Sequence, residues 1–504
     1  MPATNHFDFA VVGGGFAGSL TAAILAAAGR RVALFERLTH PRFAVGESST
    51  PTAGLLVRDL AEQYGLPWLA HLAKYGDWKQ NLPDVRCGLK RGFAYFDHRA
   101  QAPPPDCGDP ASQLLVSANP DAARGDLHWH RADVDHWLFQ KAAQLVALAQ
   151  DGVSVTATRC GEGWSLKLAC ADKTAAGDSP ANQRTRRESA DDEVTASFLI
   201  DATGGANVSG EAQPQARWWK TQTAACFTHL RHVGAWNDAL PAPVRAAHPF
   251  PCDASAQHHL VDGGWVWLLR FDDSTTSVGR VDGLLHQRST NHHASPVCSL
   301  QDWRRRLQPY AKLASLFDHA EEVDEIGWRR SPRLQRLLVP AAGADWAMLP
   351  AAAGQVDPLH STGIAHSLCG IEPLVEALLG PASQRTARLQ AYSTRLEIEL
   401  EWIDEIVGAA YQCMGDFRHF AAATMLYFAA ATSYELARVA GRRPWFLCAD
   451  DQKLRESVAR WRESVGQAPP IEQLEAELRE WLRPWNHVGL CDAQAQNLYR
   501  YETT

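Results

Sequence analysis

At 504 residues the chain has room for two or three structural units with substantial cores. Its 46% hydrophobic and 21% charged shares are ordinary for a soluble protein, and a formal charge of −8 with no long basic run argues against a nucleic-acid partner. No apolar run is long enough to span a membrane, the N-terminal MPATNHFDFA lacks the pattern of a signal peptide, and eleven scattered Cys without a C-x-x-C pair point to reduced thiols and no metal site. The expectation is a cytoplasmic protein. Eighteen Trp fit either core packing or an aromatic-lined cavity for a flat substrate.

In chain order, Phe9 to Val12 is an apolar run that reads as a buried strand. Gly13, Gly15 and Gly18 then follow the G-x-G-x-x-G spacing, Ser19 to Ala28 reads as a helix, Gly29 caps it, and Arg31 to Phe35 forms a second strand ending at Glu36. Gly13 allows the tight turn, Gly15 lets a pyrophosphate approach the backbone, and Gly18 lets helix and strand pack closely. The helix N-terminus holds the anion, and an acid about 20 residues on accepts ribose hydroxyls, a place Glu36 fits. At the start of the chain, this unit resembles the opening of FAD-dependent oxidoreductases.

Gly46-Glu47-Ser48 leads into a helix capped by Ser49 or Thr50, with Pro51 in its first turn and Leu55, Leu56, Leu60 and Tyr64 as its stripe. Ala102 to Pro110 reads as a mobile loop. A helix follows from Ala132 or Asp133, with Val134, Trp137, Leu138 and Ala142 inward. Gly152 to Thr158 and Trp164 to Ala169 read as strands, Cys170 to Val194 as a solvated hairpin loop, and Ala196 to Asp201 as an apolar strand before small residues. From Trp218 to about Ile326 alternation predicts a mostly antiparallel sheet, polar on one face, with a helix from Trp303 to Phe317 crossing it. Helices are expected from about Ser383, with Ile398, Trp402, Ile403 and Ile406 in one stripe and Met425, Leu426, Phe428 and Ala429 in another. An amphipathic helix after Pro469-Pro470 is expected to cap the fold.

Seven pieces in order, GGGFAGS (13–19), GES (46–48), GLKRGF (88–93), HRADVDHWL (130–138), IDATGG (200–205), GGWVWLLRF (263–271) and DPLHSTGI (357–364), resemble flavin-dependent halogenases and their monooxygenase relatives over most of the chain. The resemblance implies an α/β fold: a Rossmann-like FAD-binding fold, an inserted, mostly antiparallel substrate sheet and a C-terminal helical region. It divides the chain as 1–205 and 331–382 for the FAD-binding module, 206–330 for the sheet and 383–504 for the helices. In that family reduced FAD reacts with oxygen to a flavin hydroperoxide, a halide attacks it, and the hypohalous acid reaches a lysine that delivers halogen to an electron-rich ring.

That resemblance puts the lysine at Lys90, whose burial would favour a neutral, nucleophilic amine, a role the permanently charged Arg91 cannot take. It puts the halide, chloride or bromide, at the Thr362 and Gly363 amides. Trp265 and Trp267 would lie between flavin and substrate, though two Trp at spacing two also suit a packed strand. The FAD contacts it implies are Gly13, Gly15, Phe16, Ala17, Gly18, Glu36, Glu47, Ser48, Arg131, Asp201, Gly354, Asp357, Gly363 and Ile364. Arg131 has a surface ion pair as its equal alternative. With no second G-x-G-x-x-G, the implied partner is a separate flavin reductase. The substrate the resemblance implies is a small phenol, indole or pyrrole, free or carrier-tethered; the oligomeric state is not legible.

The sequence departs from the pattern in three places. The W-x-W-x-I-P segment reads WVWLLR. His360 stands where tryptophan halogenases carry Glu; it can serve as a proton acceptor and argues against free tryptophan as substrate. Ala351 stands where such flavoproteins carry an Asp that binds a ribityl hydroxyl, a loss of roughly 1.5–3 kcal/mol, or about tenfold or more in FAD affinity. These departures keep open a monooxygenase or dehydrogenase on the same scaffold, and an FAD-fold protein without catalysis.

Overall fold

A computed structural model describes residues 5–99, 103–161, 163–170, 192–215, 219–284, 299–323 and 326–500. Its first layer is built on β1 (His6–Val12), α1 (Phe16–Ala27) and β2 (Val32–Phe35). β1 is fully apolar from Phe9 onward because it lies between two parallel neighbours, β2 and a later strand ending at Asp201. The chain continues through α2 (Pro51–Gln63), β3 (Cys87–Lys90), β4 (Gly92–Asp97), β5 (Gln113–Ser117), β6 (Asp126–Trp129) and α3 (Arg131–Ala143). It then returns through β7 (Leu148–Gln150), β8 (Val153–Cys160), β9 (Gly163–Cys170) and β10 (Asp192–Asp201). The first sheet runs β7-β2-β1-β10-β9-β8, parallel up to β10 and antiparallel beyond it. Cys170 and Asp192 to Val194, expected within a hairpin loop, belong instead to the antiparallel strands β9 and β10, and the rest of that stretch, 171–191, lies outside the described residues.

The second sheet is made from β11 (Thr223–Arg231), β12 (Ala256–Val261), β13 (Gly264–Arg270) and β14 (Thr275–Gly283). It runs β11-β14-β13-β12-β4-β5, so it recruits β4 and β5 from the first third of the chain. The reading of one polar face does not hold. Trp265 and Trp267 face the main core, while Val266 and Leu268 face a second core with Trp236, Trp303, Leu307 and Phe317. The cause is the Leu300–Leu307 and Ala311–Ser315 segment, which covers the outer face. That segment is two short helices rather than one from Trp303 to Phe317, because Pro309 between them has no N–H to donate.

β15 (Arg336–Val339) and β16 (Trp346–Met348) bring the chain back, β16 pairing parallel to β10. Then come α4 (Gly363–Leu379), α5 (Ala382–Gln412), α6 (Phe417–Val439), α7 (Gln452–Gly466), α8 (Ile471–Leu482) and β17 (Leu498–Arg500). α6 is buried nearly all round, as its uniformly apolar sequence requires. The tail does more than cap the fold: β17 joins the second sheet beside β5. The stretch read as a loop near Pro110 contains a 3-10 turn, Pro105–Cys107. Among the described residues no helix is long and apolar enough to cross a membrane, and no cluster of side chains is set to hold a metal ion.

Candidate active site

The carboxyl ends of β1, β10 and β16 converge, the place where open α/β sheets bind ligands. Gly13 has φ +115°, and a Cβ there would collide with the Ala202 carbonyl; a Cβ on Gly18 would collide with the Gly13 carbonyl. Gly15 differs, since the nearest atom to a Cβ there is an Arg42 nitrogen at 3.4 Å. The turn is therefore closed by protein at Gly13 and Gly18, whereas at Gly15 a Cβ would make only ordinary contacts, with the Arg42, Asp135 and Arg131 side chains.

Charged groups ring this turn. Glu36 accepts from the Gly14 N–H at 2.9 Å, the Leu38 N–H at 3.0 Å and Arg42 at 3.0 Å. Burial opposes its charge, but Arg42 and the two amides outweigh that and hold its pKa below the usual value. Arg42 also donates to Asp135 at 3.1 Å, and Asp135 accepts from Arg131 at 2.9 Å and from the Phe16 N–H at 3.2 Å. Arg131 is thus in a buried ion pair, not a surface one, and it covers the Phe16 ring at 4.7 Å. Ala17 follows Phe16 in the first turn of α1. Arg42 and Asp135 escaped the sequence reading; the i, i+4 spacing of Arg131 and Asp135 was the one available signal. α3 begins at Arg131 rather than at Ala132 or Asp133, because Asp133 bonds Arg86 instead of capping the helix.

Beside the turn lies a cavity of about 290 Å³. Of the residues singled out above, Phe16, Glu47, Ser48, Arg131, Trp265, Trp267, Gly354, Asp357, Thr362, Gly363 and Ile364 line it. Gly13, Gly15, Ala17, Gly18, Glu36, Lys90, His360 and Asp201 do not. Asp201 is 1% exposed and bonds Thr203 and the Val208 N–H, which fixes the loop under the turn. The glycine turn, the two arginines beside Gly15 and the partly aromatic cavity fit FAD, with the cavity of a size for its ring end rather than for the whole dinucleotide.

The tryptophan pair forms one wall, ring centroids 6.0 Å apart. Trp267 lies flat over Gly279, where a Cβ would collide with its ring. Trp265 donates to the Tyr411 hydroxyl at 2.8 Å, and Tyr411 donates to Asp357 at 3.1 Å. Thr223 also donates to Asp357, at 2.7 Å. Burial raises the Asp357 pKa to about 6 against these bonds. Arg270, which replaces the expected Pro, turns out of the cavity to Asp253 at 2.7 Å, whereas Leu269 stays in its wall. Ser361 adopts φ +53°, and Thr362 and Gly363 open α4. A Cβ on Gly363 would meet nothing within 4 Å, so this turn faces open space.

Lys90 is 0% exposed. β3 pairs with β6, and β6 bridges on its other side to Ser48. The lysine reaches over β6, donating to Ser48 Oγ at 2.9 Å and the Ser49 carbonyl at 2.7 Å, with Nζ 3.8 Å from the Phe93 ring centroid. The nearby carboxylate Asp126 is taken by Lys74 at 3.3 Å. Burial therefore lowers the Lys90 pKa to about 7, with Asp126 acting weakly the other way. Ser48 lines the cavity, so the amine stands one hydrogen bond behind its wall.

His360 is 0% exposed and stacks on Tyr427 at 4.6 Å; its Nδ1 lies 3.4 Å from the Tyr95 hydroxyl and its Nε2 has no partner. His258 stacks on Tyr95 at 4.5 Å and also touches the cavity. Burial lowers both imidazoles to about 3, so both are neutral at physiological pH. Tyr95, His258 and Tyr427 were missed, since nothing in single-sequence spacing sets them apart from core aromatics. Glu47 accepts from, or pairs with, His229 at 2.6 Å. A larger cleft of about 1110 Å³ lies beyond Tyr411, but Arg99, Lys220 and Arg418 on its walls are each paired with a carboxylate.

Residues 8–176 match the FAD dependent oxidoreductase family model. The glycine turn and the parallel strands around it make this region an FAD-binding layer of the kind that family model describes. The chain is 26% identical over 416 residues to tetracycline 7-halogenase of Kitasatospora aureofaciens, covering 80% of this chain and 70% of that one. It is 26% identical over 424 residues to monodechloroaminopyrrolnitrin halogenase PrnC of Pseudomonas fluorescens, covering 82% and 69%. The crystal structure of halogenase PltM in complex with phloroglucinol and FAD superposes with a TM-score of 0.82 at 22% identity, covering 98% of this chain and 100% of that one. The chain is thus similar in sequence to flavin-dependent halogenases and shares the fold of one.

Proposed function

We propose that the enzyme halogenates a small electron-rich aromatic, a phenol before an indole or pyrrole, using reduced FAD, oxygen and chloride or bromide. The observation that carries this reading is Lys90: a fully buried amine with no carboxylate partner among the described residues, hydrogen-bonded to a serine in the cavity wall. When bound, reduced FAD supplies the electrons and the oxygen activation that turn halide into hypohalous acid. The remaining chemistry falls to the chain's own residues.

Neutral Lys90 reacts with hypohalous acid to give a haloamine and water, or holds the acid by hydrogen bond; either way the amine nitrogen places halogen inside the protein. The ring carbon then takes the halogen and loses its proton, which His360 Nε2 accepts and returns to the amine. A neutral imidazole suits this role because the Nε2 lone pair, without a partner in the protein, is free to take the proton. The Thr362 and Gly363 turn at the start of α4 is the halide site, where backbone amides face open space. Trp265 and Trp267 screen the substrate side from the cavity. The reduced FAD comes from a separate reductase, and a carrier-tethered substrate fits the same chemistry as a free one. Functionally, 1–205 and 331–382 would form the cofactor module, 206–330 the roof and 383–504 the helical flank.

A monooxygenase reading has one observation in its favour. Ser48 and His258 stand between the cavity and Lys90, so a passage for hypohalous acid needs side-chain motion. The test supplies reduced FAD, oxygen and bromide with a panel of phenols, indoles and pyrroles, read by mass spectrometry. Bromine in a phenolic product is expected; oxygen insertion with no bromine would refute the halogenase reading.

A further inference from the structure

We propose that Arg336 is a cofactor-binding residue whose guanidinium grips the FAD diphosphate, replacing the anchor that a carboxylate at position 351 provides in similar flavoproteins. The proposal depends on FAD binding alone and not on the halide chemistry.

Arg336 opens β15 and stands between two segments that face the cofactor. On one side is the loop after β10. Gly205 there has φ +125°, and a Cβ on it would collide with the Arg336 guanidinium. On the other side is the turn after β16, where Arg336 Nη2 donates to the Ala351 carbonyl at 2.6 Å. Arg336 also pairs across the strand with Gln355, and Ala351, Gly354 and Gln355 all line the cavity. The guanidinium is thus held where the carboxyl ends of β10 and β16 meet.

Its charge is not spent within the protein. Among the described residues no carboxylate lies at ion-pair distance from Arg336, and its Nε is buried without a partner. The nearest acid, Asp201, already accepts three hydrogen bonds from Thr203 and Val208. A half-buried cation with donors to spare, where the carboxyl ends of β10 and β16 meet, is matched by phosphate oxygens, which a guanidinium binds as a planar fork. Position 351 supports the same assignment. With Arg336 bonded to its carbonyl, an Asp side chain there would draw the guanidinium to itself, whereas Ala leaves the guanidinium for the ligand.

The test is FAD titration of the apoenzyme by flavin fluorescence, with ADP as a competitor carrying the diphosphate without the ring. Arg336→Gln is expected to raise the Kd for FAD about tenfold or more and to weaken ADP by a similar factor. Ala351→Asp is expected to tighten FAD on the Arg336→Gln background and not on the wild-type background. A Kd within twofold of wild type in folded Arg336→Gln, judged by its melting curve without FAD, would overturn the proposal. So would a loss for FAD without a loss for ADP, or additive effects of the two substitutions. Should Arg336→Gln not fold, Ala351→Asp alone decides: tighter FAD binding in the presence of Arg336 contradicts the assignment.

Discussion

Lys90 shows how one residue carries two opposed demands. Its folded pKa of about 7 lies below the ordinary 10.5. The unfolded chain therefore binds the extra proton between those values, and stability rises with pH through that window. Below about pH 7 the buried charge costs its full amount. Lys90→Met is expected to raise the melting temperature at pH 6, by about 1–4 kcal/mol in stability, with the gain shrinking as pH rises towards 10. A scan of melting temperature against pH for both proteins checks this. In activity, halogenation should rise with pH through about 7, as the neutral amine appears. Ser48→Ala removes an acceptor that favours the charged amine, so that limb should move to lower pH. At His360, substitution by Phe keeps the stack on Tyr427 and removes the acceptor. Turnover should fall about 100-fold with the FAD affinity unchanged, measured by steady-state kinetics and FAD titration.

Among elements, the β13 strand shows what periodicity reveals and what it leaves out. Alternation identified the strand and put Trp265 and Trp267 on one face, and both line the cavity. The other face is also buried; the apolar Val266 and Leu268 were its signal within the strand, whereas the Leu300–Leu307 segment that covers them lies more than 30 positions away and left no local mark. The glycine turn was legible in full because each glycine answers a local steric demand. The ring of Glu36, Arg42, Asp135 and Arg131 was only partly legible, because its members come from different elements. Gly279→Ala tests the wall directly. A Cβ there must push Trp267 aside, so a loss of about 1–3 kcal/mol in stability is expected, with more hydrogen peroxide released per product formed. Thermal melts and a peroxide assay read the two effects.

Across the whole molecule, the FAD layer and the sheet roof close over one interior, with α4, α5 and α6 packed along it. The order of short motifs allowed the fold to be read from the sequence; the fact that β4, β5 and β17 complete the roof was not readable, since strand partners far apart in sequence leave no local mark. A cofactor bound between these layers should stabilise the folded state by mass action, about 2.7 kcal/mol at a hundredfold excess over Kd. Melting temperature should therefore climb with FAD concentration, and more weakly in Arg336→Gln.

The most direct measurement compares wild type with Lys90→Ala, each loaded with FAD and given a chemical reductant, oxygen, bromide and a phenol, with bromine in the product followed by mass spectrometry. The account expects brominated phenol from the wild type and none from the variant, whose FAD affinity and oxygen consumption persist. Equal bromination by both proteins would show that the amine plays no part in delivering halogen.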